Sequence, residues 1–202
     1  IDETDDDDVI EGLAPPKGSA AEQRTTYFVS ASPSFASASS KPPEKVVLTF
    51  SEPIETGSLL QVFKDKSPVS DGKAEISQDT KSMTAVIDTS KGPGVYDVVY
   101  KVAHPGKTAE KGYTVFYVEV REFKGEELDS VLNFRENSIK GPQYVSTDDY
   151  LLKVDGLVDN ELTLTYAELI KRQGEKRVKT LNCVEGWFAK VLWEGVYVED
   201  LI

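Results

Sequence analysis

Cys183 is the only cysteine in the sequence and its one candidate for a thiolate metal ligand. It lies in the block Thr180-Leu181-Asn182-Cys183-Val184-Glu185-Gly186-Trp187, trailed by Trp193-Glu194-Gly195-Val196. A thiolate, not a thiol, is the nucleophile and the metal donor. Two chemistries are open to such a residue. It can be a buried, inert thiol that simply packs, or a donor kept deprotonated by the metal it holds. A lone cysteine excludes an intramolecular disulfide and leaves the compartment open. A second charged feature is the acidic run of Asp2, Glu3 and Asp5 to Asp8. It lacks the alternation and the glycine of a calcium loop, so it reads as a solvated tether.

The elements that must position these residues come from a chain of 202 residues, room for one large domain or two small ones. The net charge of −12 repels phosphates, which argues against a nucleic-acid partner and an anionic membrane surface. No stretch approaches the roughly 18 apolar residues that a membrane helix needs. The first residue is Ile1, and the chain reads as a mature or trimmed product.

Residues 1–24 read as an acidic flexible tail, with Ala14-Pro15-Pro16-Lys17-Gly18-Ser19 as a linker. Residues 25–121 read as all-β. Strands are expected at Tyr27–Ala31, Val46–Phe50, Leu59–Phe63, Ala74–Ser77, Thr84–Ile87, Val95–Val102 and Tyr113–Val120. The last two alternate with period two, which predicts one face buried against a second sheet, in a sandwich or small barrel. Residues 122–147 are polar and poorly periodic, with Gly125, Gly141 and Pro142. From 148 to 202 the pattern turns α+β. Leu151–Val158 and Leu162–Leu164 read as strands, and Thr165 with Glu168 reads as a capping box opening a helix that Gly174 stops. A strand over Val178–Val184 leads into Cys183, and Val198–Ile202 begins a helix.

The β domain resembles the CopC copper-resistance family. The resemblance rests on Val29-Ser30-Ala31-Ser32-Pro33, Val46-Val47-Leu48-Thr49-Phe50-Ser51-Glu52-Pro53-Ile54, Gly94-Val95-Tyr96-Asp97-Val98-Val99-Tyr100 and Gly112-Tyr113-Thr114-Val115-Phe116. It implies an Ig-like or CopC-like sandwich or barrel outside the cytoplasm. The family's copper ligands are a histidine at the mature N-terminus and an Asp-x-His pair before the last strand. Here Thr25, Thr26 and Tyr27 precede Phe28, while Gly106 and Thr108 occupy the pair's positions. The only histidine, His104, falls out of that register and reads as an exposed loop residue. Copper(II) prefers several imidazoles in a near-square arrangement, so copper is not expected, and the domain reads as a scaffold.

The segment Leu132–Ile202 resembles the sulfite oxidase superfamily, in particular the catalytic subunits of bacterial methionine-sulfoxide reductases. Its marks are Asn133-Phe134-Arg135-Glu136-Asn137, the run from Tyr150 to Val158 with Leu162-Thr163-Leu164 and Glu168-Leu169, and the Cys183 block with its trailing Trp193. The resemblance implies a molybdopterin cofactor. Cys183 would ligate the molybdenum, Asn133 would contact the pterin and Arg135 its phosphate. Gly186 and Trp187 would complete the binding block, with Trp187 and Trp193 shaping the pocket or packing the core. The implied activity is oxygen-atom transfer on a sulfite- or sulfoxide-type substrate outside the cytoplasm, with a membrane cytochrome as electron partner. Val198–Ile202 ends in mid-pattern, so this partial α+β domain is expected to be completed by further chain or by a partner polypeptide. The competing reading is a non-catalytic scaffold subunit, and a weaker one is a copper-binding protein.

Overall fold

The computed structural model describes residues 13–15, 21–135, 139, 145–172 and 174–201. The acidic run at Asp2–Asp8, most of the linker, Glu136, Asn137, Gly141, Pro142 and Ile202 lie outside them. The chain divides into two compact units, Ala21–Glu119 together with Leu13–Pro15, and Val120–Ile202.

The first unit is built from short strands rich in β-branched and aromatic residues, which suit a pleated, half-buried surface. They are β1 (Phe28–Ser32), β2 (Ala38–Ser39), β3 (Lys45–Phe50), β4 (Leu59–Lys64), β5 (Ser67–Pro68), β6 (Glu75–Ile76), β7 (Ser82–Val86), β8 (Gly94–Val102) and β9 (Glu110–Val118). Two sheets form, in the orders β1-β3-β7-β6 and β2-β9-β8-β4-β5. All pairings are antiparallel except β2 with β9, where Ala38 meets Tyr117. Asp65 and Lys66 link β4 to β5, both at positive φ, as a two-residue I′ hairpin turn demands.

One core joins the sheets: Val46, Leu48 and Phe50 of β3, Met83 and Ala85 of β7, Leu60 and Val62 of β4, Tyr96 to Val102 on alternate positions of β8, and Phe116 with Val118 of β9. Two sheets about one shared core make a sandwich rather than a barrel. The expected one-sided burial is only half of the picture. Phe63, Val99, Tyr113 and Val115, on the opposite face of the same strands, are buried too.

Part of the expected tail belongs to this unit. Leu13 is 1% exposed, and Gln23 exchanges two 2.9 Å main-chain hydrogen bonds with Tyr113 at the free edge of β9. An unpaired sheet edge is a row of unmet donors and acceptors, and that demand recruits a segment whose own composition looks like linker.

His104 corrects a second expectation. It is 2% exposed. Its Nδ1 lies 2.8 Å from the Pro53 carbonyl oxygen, which marks this nitrogen as the donor. The rings of Tyr27 and Phe50 stand edge-on to it at 4.8 and 5.8 Å. The neighbouring Pro105-Gly106-Lys107 suggests an exposed loop, but two aromatic rings distant in sequence close over the imidazole.

Asp97 is a half-buried carboxylate that accepts a 2.6 Å hydrogen bond from the Tyr113 hydroxyl. Burial raises its pKa, and the tyrosine's hydrogen bond offsets this only in part. A carboxyl whose pKa is raised by folding contributes stability in acid that is lost as pH rises through its folded value. Asp97→Asn keeps an acceptor for Tyr113 and removes the buried charge. The urea midpoint of the first unit is therefore expected to rise at pH 7 in the variant. Its advantage over the parent should vanish as pH falls into the carboxylate range; a lower midpoint at pH 7 would contradict this account.

Among its described residues the second unit holds three two-stranded antiparallel sheets. They are β10 (Glu122–Phe123) with β11 (Glu126–Glu127), β12 (Leu151–Val154) with β13 (Leu162–Thr165), and β14 (Glu175–Asn182) with β15 (Phe188–Gly195). A single α-helix among the described residues, α1 (Tyr166–Ile170), opens on the expected capping box. Glu168 N donates to Thr165 Oγ1 at 3.2 Å, and Thr165 N donates to Glu168 Oε2 at 2.8 Å. Glu168's pKa is lowered by the Thr165 main-chain and side-chain hydrogen bonds. The helix ends at Ile170, well before Gly174.

The expected strand over Leu151–Val158 stops at Val154. That over Val178–Val184 stops at Asn182, so Cys183 lies in the following turn. The start of a helix at Val198 is a 3-10 turn, Val198–Asp200. Among the described residues of this unit, the buried apolar side chains are Leu128, Leu164, Ala189 and Val191. Phe188, Ile170 and Leu151 are more than half exposed, and Val184 fully so.

Candidate functional site

The β14–β15 hairpin pairs Asn182 with Phe188 and leaves residues 183–187 as its turn. Cys183 N donates to the Trp187 carbonyl at 2.9 Å, and Gly186 N donates to the Cys183 carbonyl at 3.1 Å. Gly186 sits at φ +84°, the left-handed region. A Cβ there would meet nothing within 4 Å, so backbone conformation rather than space calls for glycine. The turn thus holds Cys183 and Trp187 as near neighbours through main-chain hydrogen bonds.

A second segment closes against this hairpin through a tie spanning 61 residues. Asp129 N donates to the Lys190 carbonyl, and Lys190 N donates to Asp129 Oδ2, each at 2.8 Å. The Lys190 ammonium reaches Glu126 at 2.8 Å. Beyond this tie, Ser130 caps a 3-10 turn, Val131–Asn133, accepting from Leu132 N at 3.1 Å. The chain then carries the Phe134 ring to 5.7 Å from Trp187, tilted by 35°.

Between the two segments lies an open cleft of about 470 Å³ lined by Leu132, Asn133, Arg135, Gly186, Trp187 and Phe188. Four of the five residues singled out from sequence therefore line one cleft. Cys183 is not among its lining residues. It is half-buried on the turn that supplies Gly186 and Trp187. Trp187 is half-buried, whereas Trp193 is 45% exposed on β15 and does not pack a core. Its strand partner is Arg177, a basic residue on the two-stranded β14–β15 sheet. Leu132 and Phe188 were missed as lining residues; their only signal was adjacency to the two motif blocks.

The cleft is rich in donors. Asn133 and Arg135 are exposed. The Trp187 indole Nε1 is buried with no hydrogen-bond partner among the described residues. No carboxylate is among the described lining residues, and Asn133 and Arg135 suit an acceptor-rich or anionic ligand. Among the described residues, no group of three or more His, Cys, Asp or Glu side chains could hold a metal by itself. Among the described residues no helix is long and apolar enough to cross a membrane.

Residues 28–119 match the model of the CopC domain, and residues 139–202 match that of the oxidoreductase molybdopterin binding domain. The chain carries a CopC domain followed by a molybdopterin-binding oxidoreductase domain. Among solved structures, CopC from Methylosinus trichosporium OB3b is similar at 24% identity, over 46% of this chain and 91% of that one, with a TM-score of 0.42. PcoC, a methionine rich copper resistance protein from Escherichia coli, is similar at 26% identity, over 50% of this chain and all of that one, with a TM-score of 0.39. Cys183, Gly186 and Trp187 fall inside the span matched to the molybdopterin-binding domain, while Asn133 and Arg135 lie just ahead of it. The cleft therefore unites this domain with the segment preceding it.

Proposed function

We propose that the protein is an extracytoplasmic molybdopterin-dependent oxidoreductase that transfers an oxygen atom to or from a sulfite- or sulfoxide-type substrate. The observation carrying this reading is the single cleft that unites Asn133, Arg135, Gly186 and Trp187 beside the turn bearing Cys183. The residues fit the cofactor. A soft anionic sulfur suits molybdenum. A guanidinium suits a phosphate tail through paired hydrogen bonds. A buried indole N–H without a partner suits an acceptor-bearing ring system.

When bound, molybdopterin supplies a metal centre able to carry out two-electron oxygen-atom transfer, and the protein supplies position, charge and access. Cys183 is the metal's protein ligand. Asn133 holds the pterin through its amide, and Arg135 neutralises the phosphate. Gly186 sets the turn that presents Cys183, and Trp187 walls the cleft against water on one side. Electrons pass to or from a membrane cytochrome. The CopC domain serves as a scaffold, because His104 is its one imidazole, whereas copper(II) prefers several in a near-square arrangement.

A completing polypeptide, from further chain or a partner, covers the second unit's exposed apolar side chains. These include Phe188 at 64% and Ile170 at 63% exposed. They also include a groove of about 590 Å³ whose lining includes Leu152, Tyr166, Leu169, Ile170 and Leu201, with Arg172 and Glu194. The test is elemental and chemical. The polypeptide purified from its natural host is expected to contain near one molybdenum and one pterin per chain. Material free of both would overturn the enzymatic reading in favour of a scaffold subunit.

A further inference from the structure

The geometry points to Asp129 as the positioning residue of the cleft, an inference that rests on the cofactor reading above. Its main-chain N–H donates to the Lys190 carbonyl at 2.8 Å, and its Oδ2 accepts from the Lys190 main-chain N–H at 2.8 Å. One residue thus meets both main-chain groups of Lys190, with its backbone on one side and its side chain on the other. The side-chain acceptor is a carboxylate, which makes that bond the stronger of the two.

The tie lies between the two segments that line the cleft. In one direction the chain runs from Asp129 through the turn Val131–Asn133, capped by Ser130, and on to Arg135. In the other, β15 runs back from Lys190 to Phe188, and the hairpin turn carries Trp187 and Gly186. Asn133, Arg135, Gly186, Trp187 and Phe188 all line the cleft. Binding groups must be held to within about 0.5 Å of their working geometry, which exposed side chains such as Asn133 and Arg135 reach only with support behind them. Leu128, 5% exposed, anchors the upstream segment by burial. Asp129 is only half-buried, so it fixes the course of that segment rather than its folding. The ion pair between Lys190 and Glu126 is solvent-exposed and adds little.

Asp129→Ala removes the side-chain acceptor, whereas Asp129→Asn keeps one for the Lys190 N–H. In polypeptide purified from the natural host, Asp129→Ala is expected to retain molybdopterin about tenfold less well through dialysis, the size that one hydrogen bond to a charged group sets. Retention is read as pterin and molybdenum per chain. Asp129→Asn should recover most of it. Lys190→Met, which removes the ammonium and keeps both main-chain groups of the tie, should retain cofactor normally. A second readout needs no cofactor. The Phe134 and Trp187 rings, 5.7 Å apart, lie beyond the tie on its two sides. In the cofactor-free chain their nuclear Overhauser contact should persist in wild type and Asp129→Asn and vanish in Asp129→Ala. Far-ultraviolet circular dichroism should be the same in all three.

Equal retention by Asp129→Ala, with pterin present in wild type, overturns this inference alone. So does an intact ring contact in Asp129→Ala, because the two segments would then keep their places without the carboxylate. Asp129→Asn as poor as Asp129→Ala would assign the effect to charge instead of the hydrogen bond. An Asp129→Ala chain that fails to fold would make the tie a structural bond. Wild type devoid of pterin overturns the cofactor reading and with it the role in retention, while the ring contact still decides whether Asp129 sets the cleft.

Discussion

Cys183→Ser is expected to abolish molybdenum retention, lowering metal per chain at least about tenfold, while leaving the fold intact. The two halves of this expectation have separate physical grounds. Serine replaces a soft, polarisable sulfur by a hard hydroxyl that stays protonated near neutral pH. Ligand softness governs which metals a donor holds. The turn, by contrast, is held by Cys183 N and its carbonyl oxygen, bonded to the Trp187 carbonyl and to Gly186 N. Neither bond involves the side chain, and Cys183 is only half-buried. The thermal midpoint of the variant should stay within the shift that about 0.5 kcal/mol produces, the usual size for a substitution away from a core. Elemental analysis of natural-host material, read beside far-ultraviolet circular dichroism, tests both halves. Full molybdenum occupancy in a folded serine variant would sink the assignment of Cys183 as ligand.

The second large effect concerns the CopC domain and is independent of any cofactor. Gly112 of β9 lies directly across from Tyr100 of β8. A Cβ on Gly112 would stand 2.1 Å from Tyr100 Cζ and 2.3 Å from its hydroxyl oxygen. The Tyr100 ring cannot yield easily. It is 1% exposed, stacked on Phe28 at 6.1 Å and met edge-on by Phe50 at 6.1 Å.

Gly112→Ala is therefore expected to cost about 3 kcal/mol, the upper part of the range for overpacking a close-packed core. For a unit of this size that corresponds to a midpoint lowered by roughly 10–20 °C. Tyr100→Leu should lose stability on its own, through the cavity it leaves. In combination with Gly112→Ala the loss should fall short of the sum of the two, because each relieves the other's fault. Full additivity in that cycle would show that the collision is absorbed elsewhere.

Much of the architecture was legible before any coordinates because its causes are local. The runs Val46–Phe50 and Val95–Val102 are β-branched and aromatic, and each forms a strand within a residue or so of the expected limits. The Thr165–Glu168 capping box is a contact over three residues, so spacing alone predicts it. β15 was not legible. Phe188–Gly195 mixes lysine, glutamate and tryptophan with aliphatics, and its strand character comes from pairing with β14 on one edge and with Asp129 on the other. The burial of His104 was hidden for a related reason: its polar neighbours describe the loop, while Tyr27 and Phe50 decide the environment.

The candidate site divides in the same way. Residue type alone established the soft sulfur at Cys183, and the resemblance to the sulfite oxidase superfamily singled out Asn133, Arg135, Gly186 and Trp187. Those marks belong to single side chains and to short stretches of sequence. That Asn133 and Arg135 face Gly186 and Trp187 across one cleft, that the Trp187 N–H has no partner among the described residues, and that Gly112 has no room for a methyl group were decided only by tertiary structure. Each depends on main-chain groups far apart in sequence meeting to satisfy their hydrogen bonds, and one-dimensional spacing carries no record of which distant groups will meet.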